Sequence, residues 1–224
     1  MTPQVQLPRP PRPPRFPRGG LRPVLPAELE DESVYRGVVI EGGSLGAGQL
    51  RTVSFEGAVF REVDLSGVDW QLFRLKDVRF ERCDLSGAQW TEGALERVQV
   101  TDCRLLGLHL PGAVLRHVRL TRALAPLSLW PEVDAAHLWL EDSDLTEALF
   151  TDARLPGAVF RRCALGRTDF RGAGLEGADW RGSRLQGVRV GVRELTGVTV
   201  EPVQLPELAH LLGVHVEALD AEAE

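Results

Sequence analysis

A large apolar residue returns every five positions from Tyr35 to Val200, and the register does not slip. The series opens Tyr35, Ile40, Leu45, Leu50, Phe55, Phe60 and passes through Trp70, Phe80, Trp90 and Leu105. After a weak stretch it resumes at Leu140 and runs through Phe150, Phe160, Phe170, Trp180 and Leu195. A helix buries residues at a spacing near 3.6 and a strand at 2. A fixed period of five is neither, and points to a stacked repeat. A second series sits two residues before the first: Val53, Ala58, Val63, Val68, Val78, Cys83, Ala88, and onward to Cys163, Ala173 and Ala178. Residues two apart in an extended segment point to the same side. Each unit therefore sends one large and one small side chain inward. The other three positions are mostly Asp, Arg, Glu, Thr, Ser or Gly and face out or turn the corner.

The segments Ser-Phe-Glu-Gly-Ala-Val-Phe-Arg at 54–61, Cys-Asp-Leu-Ser-Gly-Ala at 83–88 and Gly-Ala-Asp-Trp-Arg-Gly at 177–182 resemble the pentapeptide-repeat family, over about three quarters of the chain. The resemblance implies an all-β solenoid: a right-handed quadrilateral parallel β-helix with four units per coil. The residues add their own support. At four units per coil, residues twenty apart stack at the strand spacing of about 4.8 Å. Phe60, Phe80, Val100, Leu120, Leu140, Phe160 and Trp180 then form one column, and Trp70, Trp90, Leu110, Trp130, Phe150 and Phe170 another. The two columns between are nearly all Leu, so aromatic faces aromatic across the core and Leu faces Leu.

The chain holds three cysteines, one Met and one Tyr. No run approaches the ~20 apolar residues of a membrane helix, and the N-terminus lacks an apolar signal core, so a cytoplasmic protein is expected. Cys83, Cys103 and Cys163 share one inward column and read as small buried hydrophobes. In-register parallel strands orient sulfurs poorly for a Cys83–Cys103 disulfide, and no fourth ligand completes a metal site.

Four parts are expected. Residues 1–26, rich in Pro and Arg, read as a disordered basic arm, and residues 27–33 as an acidic lead-in; together 1–33 precede the repeat. Residues 34–200 form the β-helix, about eight coils. Residues 201–224 break the phase and close it. Pro206 suits a first helical turn, Leu208, Leu211 and Leu212 make an apolar face, and Gly213 is a natural stop. Val214-His215-Val216 alternates like a short strand. An open coil needs a cap. The arrangement also resembles the C-terminal helix-plus-strand through which quinolone-resistance members of the family dimerise, which implies a homodimer through Leu208, Leu211, Leu212, Val214 and Val216.

One interruption stands out at 120–137. Ala125 and Ala135 occupy large positions, and Pro126 and Pro131 intervene. A bulged coil or short loop is expected, covering an external apolar cluster of Leu124, Leu127, Leu129, Trp139 and Leu149. The alternative is a partner-binding patch carried by Leu129, Trp139 and Leu149. No catalytic constellation is present: the recurrent Asp residues serve corners, His117 and His137 make only a weak metal hint, and no Gly-rich phosphate loop joins a strand to a helix. No enzyme activity, cofactor or metal is expected.

Function then rests on surface recognition. The leading reading is a non-enzymatic scaffold for a protein partner of unknown identity. The alternative, implied by the family resemblance, is a DNA mimic that binds DNA gyrase. The total charge of −6 helps that alternative, but residues 34–200 hold 21 Lys and Arg against 22 Asp and Glu. The acidic row Asp64, Asp84 and Asp144 is short. The Phe60–Trp180 face carries Arg61, Arg79, Arg82, Arg119, Arg122, Arg161, Arg162 and Arg181, while Glu62, Glu81, Asp102, Glu141 and Asp142 dilute its field and make direct nucleic-acid binding unlikely.

Overall fold

The computed structural model describes residues 8–46, 48–214 and 216. They form a parallel β-solenoid of about seven turns that ends in one short helix, Leu205–Ala209. Every face keeps a twenty-residue register. Ser54 pairs with Arg74, Arg74 with Ala94, and Val114 with Ala94 and Asp134 on one face. Val39, Val59, Arg79, Gln99, Arg119, Trp139, Val159, Asp179 and Thr199 form the ladder of the next. Ser44 to Arg184 and Gln49 to Arg189 complete the four. Dividing 34–200 by twenty gives about eight coils, one more than is seen, because residues 192–197 turn away and Leu195 is only partly buried.

Both inward positions of the unit are buried. Phe60, Phe80, Trp70, Leu65 and Leu75 are fully enclosed, as are the small residues Ala58, Val63, Val78 and Ala88. Burying each large side chain contributes roughly 1.5–3 kcal/mol. The rings of a column stack: Phe60 lies 4.7 Å from Phe80, Trp70 5.4 Å from Trp90 at 1° between planes, and Phe150 5.2 Å from Phe170. The aromatic columns also meet across the core, as at Phe80–Trp90.

The corners have a common chemistry. The residue at each corner apex sits in the left-handed region, whether Gly67 (φ 66°) or Glu62, Asp102 and Leu127 (φ 55°, 55° and 57°). Just before the apex is a backbone N–H that the ladder leaves free. An Asp two residues earlier accepts it: Asp64 from Ser66, Asp84 from Ser86, Asp144 from Thr146, Asp169 from Arg171 and Asp179 from Arg181.

That free N–H explains why 120–137 is a regular coil and not the expected bulge or loop. Pro126 and Pro131 occupy such positions, so their missing donors cost no ladder bond. Their carbonyls still accept from Gly107 and Gly112. Ala125 and Ala135 are buried, and Trp130 between them fills the space, its indole N–H donating to Ser128 Oγ at 2.8 Å.

Residues 8–26 depart from the disordered arm expected over 1–26, of which residues 1–7 lie outside the described residues. Arg22–Pro23 is a parallel strand against Val38 and Val39, and Val24 is buried. Further back, Pro14 is buried, the Arg15 N–H donates to Asp77 Oδ1 at 2.9 Å, and the Arg79 guanidinium lies 5.1 Å from the centre of the Phe16 ring. The strand ties the segment down, and Pro restricts what little entropy remains to be lost.

The cysteine column is a hydrogen-bonded spine. Cys83, Cys103 and Cys163 are free and buried, and their thiols donate to the carbonyls of Glu81, Thr101 and Arg161. Ser143 and Ser183 extend the same column and accept from Ala123 N–H and Cys163 N–H. Burial pushes the Cys163 thiol up to about 12. Because all three are buried, the thiols are expected to resist a thiolate-directed reagent in the folded protein and to react fully once denatured. Rapid labelling of the native protein would contradict that burial.

One small position carries an aromatic ring. Phe73 occupies it, and Gly93 lies one coil above; a β-carbon on Gly93 would come within 2.2 Å of the Phe73 ring. Phe73 also packs edge-on against Trp70 and Trp90. Gly93→Ala is expected to destabilise the fold by about 1–3 kcal/mol through overpacking. In urea melts, Phe73→Val combined with Gly93→Ala should cost less than the sum of the single changes. Strict additivity would show that the two residues do not share the site.

Candidate partner surfaces

Outward charges one coil apart meet. Glu62 pairs with Arg82 at 2.8 Å, Asp102 with Arg122 at 2.6 Å and Asp142 with Arg162 at 2.6 Å, along a single corner. Glu147 pairs with Arg167 on another, and Glu56 with Lys76 at 2.8 Å. Hydrogen bonds from the arginines hold the Asp102 and Asp142 carboxyls below the usual carboxylate range.

The basic face read from the sequence is neutralised in this way. Arg61 reaches Glu81 and Glu41, Arg79 reaches Glu81, Arg119 reaches Glu141, and Arg161 and Arg181 both reach Asp179. With Arg82, Arg122 and Arg162 already paired, all eight arginines of that face carry a carboxylate partner.

The acidic row is broken. In its column Asp64 and Asp84 are neighbours, but Arg104 and Leu124 separate Asp84 from Asp144. Arg104 lies 3.7 Å from Asp84. All three aspartates accept corner N–H groups, and those bonds hold Asp64 below the usual range, the Ser66 hydroxyl and N–H together outweighing burial.

The structure does not bring Leu129, Trp139 and Leu149 together. Leu129 and Leu149 are ladder neighbours on one face, both half-buried, and Trp139 lies on the opposite face, ten residues being half a coil. Trp139 is only 8% exposed, because the guanidinium groups of Arg119 and Arg161 lie 5.4 and 5.0 Å from its ring. Leu124 and Leu127, both exposed, adjoin Leu129 around one corner. His117 and His137 stack at 4.5 Å, and among the described residues no group of three or more His, Cys, Asp or Glu is placed to hold a metal.

The C-terminal end combines a cap with an apolar groove. Gln204, which the sequence reading passed over, is buried; its Nε2 donates to the Trp180 and Ser183 carbonyls at 2.9 and 2.6 Å, and its Oε1 accepts from Glu201 N–H at 2.7 Å. Glu207 Oε2 accepts from Leu185 N–H at 2.5 Å. Side chains thus serve groups that a further coil would serve by backbone. The signal was available: Gln204 continues the Asp144–Ala164–Arg184 position past the last coil.

Leu208 is buried and Leu211 packs partly on the core, so these two face inward. Gly213 ends the helical segment at φ 68°. Val214 and Val216 are exposed and carry no strand assignment, contrary to the expected Val214–Val216 strand, while His215 and the Leu212 side chain lie outside the described residues. Between the last coil and the helix runs a groove of about 410 Å³, lined by Val192, Leu195, Leu205, Leu208, Ala209, Leu211 and Val214.

Residues 143–179 match the family model of pentapeptide repeats. That stretch of the chain carries pentapeptide repeats. No curated protein matches the chain. Among solved structures, trypsin-treated QnrB1, described as a plasmid-mediated fluoroquinolone resistance protein, is 19% identical over 83% of this chain and 100% of its own, with a TM-score of 0.49. HetL, a pentapeptide-repeat protein involved in heterocyst differentiation regulation in Nostoc sp. strain PCC 7120, is 20% identical over 76% of this chain and 87% of its own, with a TM-score of 0.33. Neither likeness is close enough to carry a function across.

Asp179 and Asp169, the two most deeply buried carboxylates described, contribute to the response of the fold to acid. Burial alone would raise Asp179, but hydrogen bonds from Arg181 and Arg161 outweigh it and hold the carboxyl below its usual range. Arg171 does the same for Asp169, ahead of burial. A folded-state pKa below the unfolded value of about 3.9 gives stability that is present above that value and lost as pH falls through the folded pKa. The melting temperature is therefore expected to fall below about pH 4. Asp179→Asn should lower it at neutral pH and flatten the acid limb; an unchanged limb in Asp179→Asn with Asp169→Asn would remove these groups from the account.

Proposed function

We propose that this protein is a non-catalytic scaffold that holds a protein partner and pairs with a second copy through its C-terminal end. The observation that supports this best is the contrast between flanks and end. The flanks spend their charges on one another, whereas the end offers a groove lined almost wholly by aliphatic side chains, with Leu205 56% and Val214 51% exposed. Contiguous exposed apolar surface marks interfaces. The lateral patch of Leu124, Leu127, Leu129 and Leu149 is the proposed seat of the partner, with Trp139 apart from it under its two arginines.

The DNA-mimic alternative needs a continuous anionic surface. The interruption of Asp64, Asp84 and Asp144 by Arg104 and Leu124 speaks against it. A gyrase supercoiling assay at low salt is expected to show no response. Inhibition that disappears in the Asp64→Asn, Asp84→Asn, Asp144→Asn variant, which keeps the corner acceptors and removes the charge, would replace the scaffold reading with the mimic.

For the second copy, light scattering should give twice the 24.7 kDa chain mass. Leu205→Asp and Val214→Asp should return it to one chain without loss of fold, since both residues are exposed. Leu211→Asp should damage the cap as well. A wild-type monomer at high micromolar concentration would leave the C-terminal segment as a cap alone.

A further inference from the structure

The N-terminal segment, mostly exposed but anchored by the buried Pro14, lies along one corner of the solenoid. That corner is the column Gly37, Gly57, Asp77, Arg97, His117, His137, each with φ between 54° and 59° except Gly57 at 64°. Pro17 sits over the two glycines: a β-carbon on Gly37 would lie 3.2 Å from Pro17 Cγ, and one on Gly57 3.4 Å from Pro17 Cδ. One coil on, Asp77 accepts the Arg15 N–H at 2.9 Å while Arg97 holds its carboxylate at 2.6 and 2.7 Å. Arg79 covers Phe16. Arg12 reaches a cavity of about 420 Å³ with Arg97 and His117.

The spacing shows how the segment runs. From Pro17 to Arg12, five residues of polyproline II span about 15 Å. From Gly57 to His117, three coils span about 14 Å. The segment therefore advances along the axis at the pace of the coils, opposite to the direction in which they are laid down. Its prolines need no donor, and its one described backbone bond to the corner ends on a side chain, Asp77. Nothing in residues 8–17 is part of a ladder. The corner supplies two bare glycines for proline, a buried acceptor for the next N–H and a cation for an aromatic ring.

We infer that this corner is a recognition track for an extended peptide of the form Pro-x-aromatic-Pro, with x any residue that keeps its backbone N–H, filled by the chain's own residues 14–17, and that a protein partner bearing such a segment binds by displacing them. The existence of that partner rests on the scaffold reading; the track itself does not. A tethered segment competes at an effective concentration in the millimolar range, so the track is masked until the tether loosens or a stronger segment arrives.

The test uses a fluorescein-labelled synthetic peptide of residues 8–20 and the full chain. Phe16→Asp with Pro14→Asp should loosen the tethered segment and leave Arg22–Val24 paired. Fluorescence anisotropy should then show peptide binding at least tenfold tighter than to the wild type, and a peptide with Ala in place of Phe16 and Pro17 should not bind. In the loosened chain Asp77→Ala should abolish binding, and Arg79→Ala, an outward residue, should weaken it several-fold with the melting curve unchanged. Equal affinity for wild-type and loosened chains, or indifference to both Asp77→Ala and Arg79→Ala, would overturn the track. A gyrase response in the assay above would overturn the scaffold reading and leave the anisotropy result untouched.

Discussion

The twenty-residue backbone ladder carries this structure. The N–H of the large inward residue finds a carbonyl one coil away on all four faces, as Leu65 does on Asp84 and Phe150 on Asp169, so the position of every residue is set by its number modulo twenty. Inward columns, corner residues and outward charges are all consequences of that single spacing. A conventional core gathers side chains distant in sequence; here, the N-terminal segment apart, contacts reach no further than a neighbouring coil, and stability is a sum of similar interfaces.

The same constraint explains the surface. Placing charges of alternating sign at steps of twenty, as in Glu62, Arg82, Asp102, Arg122, Asp142 and Arg162, makes each a neighbour of its opposite. Like charges in a column would repel at the strand spacing. Stacking therefore favours a flank that cancels its own field, and recognition falls to places where the ladder ends or a corner is bare.

Much of the fold was legible because it follows from periodicity. The five-residue phase identified both inward positions, the stacking of Phe60 on Phe80 and of Trp70 on Trp90, and the burial of the cysteines. What escaped lies off the period. Pro126 and Pro131 read as breakers because the free corner N–H is a property of backbone geometry. Trp139 read as an exposed anchor because its cover comes from Arg119 and Arg161, one coil to either side. The proline-rich segment read as disordered because its hold is a single acceptor, Asp77, and two glycines that look like ordinary turn residues. Gln204 was missed because the five-residue phase breaks before it, although its number still continues the Asp144–Ala164–Arg184 column.

The pairing of Phe73 with Gly93 has a consequence for assembly. In a lattice whose rungs are alike, sliding the chain by one whole rung preserves every main-chain bond and every choice of inside and outside. Backbone energetics cannot tell the true alignment from its neighbours. An oversized ring that fits only beneath a missing side chain can, because after such a slide the ring meets Ala113 and the vacancy meets nothing. Irregularities of this kind, with Trp130 between Ala125 and Ala135 as a second, act as address marks in an otherwise uniform rod.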